Sequence, residues 1–502
     1  MTGDAEYIHC EVRLLSVSCE GGKGMACWSV SYSRRAGGAA ALAVCSLVTM
    51  ILLGDGNAAP SPKTALAVEN AQRGSTDWQP LESNGRQGEI EGYASQVSVS
   101  PGGVLQLHVS TRPAVKYQVQ IFRLGWYGGQ GGRLVTCLPS CQKYLSGKPQ
   151  PIRTPDPQTG LLRSGWPVTT SFRIPKAWVS GYYAAKLVVA TKPQDWPRMG
   201  HSSVVPFILK EAASKKSRIL VVSSVNTEQA YNNWGGKSLY DFNSTNGRQA
   251  VKVSFDRPYA AAVYVYESRL VQFLESQPDL DISYTTDVDV HRNPSTLLRH
   301  RLVIVNGHDE YWSSTMRTAY ERARDRGVNL GFFGGDIADW QIRFENGERT
   351  IVGYKSAERD PELDGSNKTT NFRFLTPPRP QCELMGTTFD ERQPQPSGRF
   401  KINGAAIKDR WFAGTGFKAN DTFVQGAGEM DVAAPPDCPP YPKTTFFADA
   451  RNPTLAVATR YRAPSGAIVL GVGSYALSTQ SLDDKRVQRF ARNAILEMSR
   501  GR

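Results

Sequence analysis

The stretch Arg218-Ile-Leu-Val-Val-Ser223 decides the fold, because it is a continuous apolar run without the alternation of a half-exposed strand. Such a strand is typical of a parallel sheet that is covered on both faces. Further apolar runs and amphipathic helical patterns follow it in turn. The predicted strands are 280–285, 301–305, 328–333 and 466–472, and the predicted helices are 267–275, 314–326 and 483–498. This alternation predicts a doubly wound α/β domain over residues 213–502.

The remainder of the chain divides by composition. Residues 90–212 hold short alternating runs, such as Val104-Leu-Gln-Leu-His-Val109, broken by Gly and Pro, and this pattern predicts a β-sandwich. Residues 60–89 are polar and are predicted to be a linker. The stretch at about 355–450 is rich in Pro, Gly and Asn and is predicted to be a loop-rich insertion in the α/β domain. The predicted fold class is a multidomain α+β protein.

Residues 1–59 contain the parts of an export signal in their usual order along the chain. Arg34 and Arg35 precede an uncharged run over 36–54, and the small residues Asn57-Ala-Ala-Pro60 follow. The paired arginines suggest the twin-arginine route. The alternative is an uncleaved N-terminal membrane anchor, since the run is just long enough to span a bilayer. We expect an exported protein that is periplasmic, on the cell surface or extracellular.

Four cysteines lie outside this segment, and their number is even. They are Cys137, Cys141, Cys382 and Cys438. We expect a short disulfide loop between the first two and a longer one between the last two, which would be stable outside the cytoplasm. A zinc site is the weaker alternative, because the spacing lacks paired CxxC elements and no His lies beside these cysteines.

The chain carries a formal net charge of +13. A basic surface attracts anionic polymers without specificity. No helix-turn-helix, RNP-like or zinc-finger pattern accompanies the charge, so we expect no nucleic-acid partner. We expect membrane contact only through an N-terminal anchor.

Polar and aromatic residues follow three of the predicted strands. The segments are Asn226–Tyr240, Gly307-His-Asp-Glu-Tyr-Trp312 and Gly334-Gly-Asp-Ile-Ala-Asp-Trp340. Ligands of open α/β sheets bind at the carboxyl ends of the strands, so these segments predict one shared site. Each segment also has a structural interpretation: 308–310 as a helix N-terminus with acidic residues, and the aromatic side chains as core. The absence of a nucleophile elbow in the sequence argues against thiol amidotransferase and α/β-hydrolase chemistry.

The same segments carry a resemblance. Gln229–Tyr240, Val253-Ser-Phe-Asp-Arg-Pro-Tyr259 and Gly307–Ser313 resemble signature stretches of the N,N-dimethylformamidase large-subunit-like family, as do Arg123-Leu-Gly-Trp-Tyr-Gly-Gly129 and Ser180–Leu187 upstream. The resemblance runs from about residue 90 to the C-terminus. It implies immunoglobulin-like sandwich domains before an α/β domain like that of class I glutamine amidotransferases. It also implies one iron per chain, held by two tyrosines and one glutamate, and hydrolysis of an amide bond.

Carried over by motif, the resemblance makes Glu310 and Tyr231 metal ligands. It makes Tyr183 the second tyrosine, with Tyr182 as the alternative. Hard oxygen donors of this kind suit Fe(III). His308 is the expected general base or water-orienting group, and Asp336, which stands where the family's turn has Asn, is a second catalytic candidate. The residues expected to line the substrate site are Asn232, Trp234, Lys237, Tyr311 and Trp312.

The functional hypothesis is an exported metal-dependent hydrolase that acts on the C–N bond of a small-molecule amide or an envelope-derived substrate. The alternative is a non-catalytic extracytoplasmic protein that binds a glycan or another cell-envelope ligand. A purely structural aromatic cleft is a third interpretation. The family's characterised enzyme pairs with a small subunit, and the sequence leaves open whether this chain does.

Overall fold

The computed structural model describes residues 64–79, 89–190, 202–259, 264, 266–392, 396–425 and 428–500. The predicted export signal or anchor at 1–59 lies outside these residues. Within the described ranges, no helix is long and apolar enough to cross a membrane. Residues from Pro62 onward form one compact unit.

The chain has a mixed α and β content. The strands are β1 Ile90–Ala94, β2 Ser98–Val99, β3 Val104–Thr111, β4 Lys116–Leu124, β5 Gly132–Leu138, β6 Leu145–Ser146, β7 Thr170–Arg173, β8 Gly181–Val189, β9 Ser202–Leu209, β10 Ile219–Ser223, β11 Lys252–Ser254, β12 Ile282–Thr286, β13 Leu302–Asn306, β14 Tyr311–Ser313, β15 Asn329–Phe333, β16 Trp340–Glu345, β17 Thr350–Val352, β18 Thr387–Phe389, β19 Arg399–Ile402, β20 Thr422–Val424, β21 Asp431–Ala433, β22 Lys443–Asp449, β23 Ala458–Arg462 and β24 Ile468–Gly471. The α-helices are α1 Ala65–Asn70, α2 Val225–Tyr231, α3 Ser268–Glu275, α4 Asp287–Arg292, α5 Ser314–Asp325, α6 Cys382–Met385 and α7 Lys485–Ser499.

Two sheets form where the sequence predicts the β-sandwich. One has the order β1-β3-β7, and the other has the order β2-β9-β8-β4-β5 with β6 paired to β4. Alternate residues of β3, such as Leu105 and Leu107, point into an apolar cluster that also contains Ile121 of β4 and Val205 of β9. The two sheets therefore share one core. The immunoglobulin-like description of this part stays a prediction.

A nine-stranded sheet forms the rest of the core, in the order β12-β10-β13-β15-β24-β23-β22-β19-β20. The first five strands are parallel, and they are the five apolar runs of the sequence. Ile219 and Val221 belong to the apolar cluster that holds α3 and α7, whereas Leu220 and Val222 belong to the cluster that holds α5. Helices thus cover both faces of the parallel part, as the sequence predicts for this region. The glutamine amidotransferase-like description stays a prediction.

The predicted insertion contributes strands to this main sheet. β19, β20 and β22 lie between residues 399 and 449, and they extend the sheet beyond β23 with antiparallel pairing. Two small sheets, β11-β17-β16-β14 and β18-β21, cover the carboxyl end of the parallel strands. The insertion is therefore more regular than its Pro- and Gly-rich sequence predicts.

Part of the predicted linker is also structured. Helix α1 begins after Thr64, whose side chain accepts a hydrogen bond from the Ala67 backbone N–H. At the other end of the helix, the Asn70 amide donates to Glu275 Oε2 at 2.8 Å. Glu275 also accepts two hydrogen bonds from Arg123 of β4. The residues around this carboxylate join α1, the six-stranded sheet and α3.

Both predicted disulfides are present. Cys137 is bonded to Cys141, and Cys382 is bonded to Cys438. The second bond joins the start of α6 to the loop before β22, across 56 residues of sequence. The zinc alternative for these cysteines is therefore wrong.

Candidate metal centre

Two turns at the carboxyl ends of β13 and β15 bring the candidate residues together. Gly307 follows β13 with φ +74°, a conformation that glycine adopts without strain. A Cβ on Gly334, which follows β15, would lie 1.8 Å from the Gly307 carbonyl oxygen. The two chain segments can therefore approach this closely only because Gly334 has no Cβ.

Three buried side chains lie in these turns. One ligand atom each of His308, Glu310 and Asp336 lies within 4.8 Å of the other two. The exposed fractions of these residues are 6%, 3% and 1%. The Oδ1 atom of Asp336 has no hydrogen-bond partner among the described residues. A buried carboxylate oxygen without a partner is costly, so this atom is open to a ligand.

Two tyrosines complete the cluster. The Tyr240 hydroxyl donates to Oε1 and Oε2 of Glu310, at 2.7 and 2.8 Å. The Tyr231 ring stacks on the Tyr240 ring with 4.2 Å between centroids, and it lies 5.9 Å from the His308 ring. Tyr231 is the last residue of α2, and Tyr240 follows a turn through Gly235 and Gly236. Tyr231, Tyr240 and Glu310 thus lie together beside His308.

The second tyrosine is not the one predicted. Tyr183 donates its hydroxyl to the Val179 carbonyl at 2.9 Å, and its ring stacks on Trp178 in the core of the sheets β1–β9. Tyr182 donates to Glu267 Oε1 at 2.9 Å. Successive side chains of a strand point to opposite faces, so these neighbours enter different clusters, and neither joins the three buried residues. The structure therefore places Tyr183 and Tyr182 outside the cluster, and Tyr240 in contact with Glu310.

Three of the predicted lining residues have structural contacts instead. The Trp234 indole donates to Glu91 Oε1 at 3.1 Å. The Trp312 ring is fully buried and stacks on Tyr320 at 4.3 Å, so its interpretation as a core residue is the correct one. The Lys237 ammonium donates to the Thr245 and Arg248 carbonyls.

Two predicted lining residues remain. Asn232 donates to Gln229 Oε1 at 2.8 Å and to the Pro258 carbonyl at 2.9 Å, which fixes the chain after α2. Tyr311 does lie beside the site: its hydroxyl accepts a hydrogen bond from Lys355 Nζ at 3.0 Å. Of the five predicted lining residues, Tyr311 is therefore the one that contacts a side chain beside the cluster, that of Lys355.

Sequence reasoning missed three side chains of the site. Tyr240 is the last residue of the Gln229–Tyr240 motif, nine residues after Tyr231. This position in the motif is the only feature of the sequence that marks it as a site residue. Lys355 Nζ lies 3.6 Å from the Tyr240 ring centroid and 4.4 Å from that of Trp340. Glu429 Oε2 lies 2.8 Å from His308 Nε2. Lys355 and Glu429 come from the insertion, and no local pattern marks them.

The electrostatics of the cluster favour bound cations. Burial, followed by the charge of Glu310, raises the pKa of Tyr231 well above its ordinary value. Burial and the neighbouring Tyr311 raise the pKa of Tyr240 further. Both phenols are therefore protonated unless a strong cation replaces the proton. That condition fits a trivalent ion with hard oxygen ligands.

The pKa values of His308 and Asp336 are both raised, for different reasons. Burial acts to lower the pKa of His308, but hydrogen bonds to Glu310 and Glu429 raise it well above its ordinary value. Burial and the charge of Asp339 raise the pKa of Asp336. A protonated Asp336 can donate a hydrogen bond as well as accept one.

A groove lies beside the cluster, and two of its lining residues border His308. It has a volume of about 450 Å³, and Tyr266 and Tyr475 form part of its wall. Their rings lie 6.2 and 5.6 Å from the His308 ring. A Cβ on Gly428 would lie 1.9 Å from the Tyr475 hydroxyl, so glycine keeps this side of the groove open.

The fold and the cluster together define a mixed α/β protein with a candidate metal centre at the carboxyl edge of its parallel sheet. A comparison with protein families matches residues 118–485 to the family described as N,N-dimethylformamidase beta subunit-like, C-terminal. The match covers most of the chain, and the chain belongs to this family. A comparison with curated proteins found no match.

Proposed function

We propose that the protein is a metal-dependent hydrolase of an amide-like C–N bond. The observation that carries the proposal is the contact of Tyr240 with both oxygens of Glu310, beside Tyr231 and His308. Family membership supports the same chemistry through the dimethylformamidase in the family's description. Fold relatives often change chemistry, so the argument rests on the side chains.

The proposed cofactor is one iron ion per chain, as Fe(III). Tyr231, Tyr240 and Glu310 would hold it, since phenolate and carboxylate oxygens are hard anionic donors. The partnerless Oδ1 of Asp336 lies near enough to take part or to bind water. A bound ion of this kind supplies Lewis acidity, which polarises a carbonyl group and lowers the pKa of water.

His308 is the proposed proton carrier. Its Nε2 lies between Glu429, at 2.8 Å, and Glu310, at 3.4 Å. In hydrolysis, Nε2 accepts a proton from the attacking water and passes one to the departing amine, while the water oxygen joins the carbonyl carbon and the C–N bond breaks. Glu429 balances the imidazolium charge. Lys355, over the Tyr240 ring, stabilises negative charge on that phenolate.

The groove at Tyr266 and Tyr475 is the proposed path of the substrate, because both rings border His308. The aromatic walls suit an amide with a planar or apolar substituent. We also propose export of the protein. The two disulfides support an oxidising compartment, and the order of residues 1–59 supports a signal segment. Whether the protein pairs with a small subunit is an open question.

The test begins with metal content and the visible spectrum of the purified wild-type, Tyr231→Phe and Tyr240→Phe proteins. Tyr144→Phe is the control, since Tyr144 is exposed and remote in sequence from the motifs. We expect about one iron per wild-type and Tyr144→Phe chain, with a phenolate-to-iron absorption band that weakens in each of the other variants. Amine release from a panel of N-acyl amides then tests the reaction.

Folded, colourless, metal-free protein from iron-replete cells would contradict the proposal. The alternative of a non-catalytic protein that binds glycans or other envelope ligands would then explain the fold better. Iron-loaded protein that releases no amine from any member of the panel would retain the metal centre and reject amide hydrolysis.

A further inference from the structure

A second pocket lies against the three-stranded sheet, and it is built from other residues than the metal centre. Its volume is about 510 Å³. Ser95 and His108 form part of its wall, together with the side chains of Arg153, Arg163 and Arg349. Ser95 directly follows β1, and His108 lies on β3, the neighbouring strand.

The serine and the histidine are arranged as nucleophile and base. Ser95 Oγ lies 2.7 Å from His108 Nε2, and His108 Nδ1 lies 2.7 Å from the Trp166 carbonyl oxygen. A carbonyl oxygen only accepts, so Nδ1 carries the proton that it donates. In the tautomer with the proton on Nδ1 alone, Nε2 carries the lone pair and accepts a hydrogen bond from the Ser95 hydroxyl. A nucleophile, a base and a group that orients the base are the parts of an activated serine.

The imidazole is fixed on more than one side. Tyr93 lies opposite His108 in the register of β1 and β3, and the two rings are parallel, with 4.5 Å between centroids and 6° between planes. The Tyr93 hydroxyl accepts a hydrogen bond from the Trp166 backbone N–H at 3.1 Å. Trp166 thus makes both contacts. Its backbone N–H holds the Tyr93 ring, and its carbonyl oxygen orients the His108 ring. The pair is therefore held in its reactive tautomer by the fold.

The pocket also carries excess positive charge. Asp256 pairs with Arg163 at 3.1 Å and with Arg349 at 2.8 Å. Arg153 has no ion pair with any residue for which the structure gives a position. Three guanidinium groups against one carboxylate favour an anionic ligand.

We propose that Ser95 and His108 form a second catalytic site, which hydrolyses esters whose acyl group carries an anionic end. Ser95 Oγ bonds to the ester carbonyl carbon while its proton moves to His108 Nε2. The C–O bond to the alcohol breaks, and the alcohol takes that proton. Water then attacks the acyl-serine with His108 again as base, which releases the acid and restores Ser95. Arg153 holds the anionic end of the acyl group.

The first test is covalent labelling of the full chain by a fluorophosphonate, with the modified residue located by peptide mass spectrometry. Ser95 Oγ would bond to phosphorus, and fluoride would leave with the proton that His108 accepts. We expect labelling of the wild type and of Ser100→Ala, an exposed serine that directly follows β2. We expect no label in Ser95→Ala, and labelling at least tenfold slower in His108→Gln, since a general base contributes about 10²–10⁴ in rate.

The second test compares two 4-nitrophenyl esters of similar length, the monoester of glutaric acid and the butyrate. We expect the anionic ester to be hydrolysed faster, and Arg153→Gln to slow it more than it slows the neutral ester. Labelling of Ser95 should persist after treatment with an iron chelator, which separates this site from the metal centre.

Three results would overturn the proposal. They are a folded wild type whose Ser95 takes no label, equal labelling rates in the wild type and His108→Gln, and labelling that stops when the protein is treated with the chelator. Melting temperatures of the variants close to that of the wild type show that loss of labelling is not loss of fold.

Discussion

The Tyr240 hydroxyl donates to both carboxylate oxygens of Glu310, at 2.7 and 2.8 Å, although the two residues lie 70 positions apart. The contact places a phenol proton where a metal ion would bind. A metal ion must displace that proton, and the proton of Tyr231 as well.

Iron binding should therefore release protons and strengthen with pH. The raised pKa values of Tyr231 and Tyr240 mean that both groups hold their protons in the metal-free protein at neutral pH. Ligands must lose protons to bind, so we expect iron affinity to rise from pH 6 to pH 8. Competition with a chelator at each pH measures the affinity. An affinity that does not depend on pH would show that the phenols are not ligands.

Removing Glu429 should shift the acid limb of the pH–rate profile to lower pH. Burial acts to lower the pKa of His308, but its hydrogen bonds to Glu310 and Glu429 raise it, and the base form of His308 is the one that accepts a proton. In Glu429→Gln that pKa falls, so activity should persist to lower pH than in the wild type. The profile of kcat/KM against pH measures the shift. Glu358→Gln, an exposed change in the same insertion, should leave the profile unchanged.

Two glutamates near the junction of the sheets should make stability fall as pH rises. Burial raises the pKa of Glu228 from 4.5 to about 8 and that of Glu267 from 4.5 to about 7. Their contribution is fully present below about pH 4.5, where both states are protonated, and it is lost as pH rises through 7 and 8. One pKa unit corresponds to about 1.4 kcal/mol.

The free energy of unfolding, measured with denaturant at pH 5 and pH 8.5, tests this sign. We expect Glu228→Gln to reduce the loss of stability between these pH values by about 2–4 kcal/mol. Glu391→Gln is the control, because Glu391 is exposed. A loss of stability as steep in Glu228→Gln as in the wild type would show that Glu228 is ionised in the folded protein.

The buried ion pair of Arg123 and Glu275 should be essential to stability. The two side chains form two hydrogen bonds, at 2.8 and 2.9 Å, and they are almost fully buried. Glu275→Gln leaves a buried arginine without its counter-charge, which costs about 3–5 kcal/mol. The matched control is Glu345→Gln, which breaks the partly exposed pair with Lys252 and should cost about 1 kcal/mol or less. Equal losses in the two variants would contradict this difference.

The two disulfides should contribute different amounts to the free energy of unfolding. Cys382–Cys438 spans 56 residues and Cys137–Cys141 spans four. Loop-closure entropy predicts a loss of about 4 kcal/mol for the double serine variant of the long bond and about 2 kcal/mol for that of the short bond. Urea unfolding of the two double variants measures both. A larger loss for the short bond would show that local packing, and not chain entropy, dominates.

The parallel part of the sheet could be predicted because its signal is local. Four of the five strands lie in mostly apolar runs, and burial on both faces needs no knowledge of the partners. The strands β19, β20 and β22 could not be predicted in the same way. β19 and β20 have only four and three residues, and the pairing of β19 with β22 joins positions as distant as Phe400 and Asp449.

The sequence by itself determined the family, the two disulfides, the α/β alternation and the place of His308, Glu310 and Asp336 after strand ends, with Tyr231 in the segment that follows another strand. All of these follow from local periodicity, spacing or motif. Only the tertiary structure decided that Tyr240, and not Tyr183, meets Glu310, and that Lys355 and Glu429 complete the site. The reason is physical: the side chain of a strand residue can face either of two clusters, and contacts between distant chain segments are fixed by the packing of the whole fold and not by any local pattern.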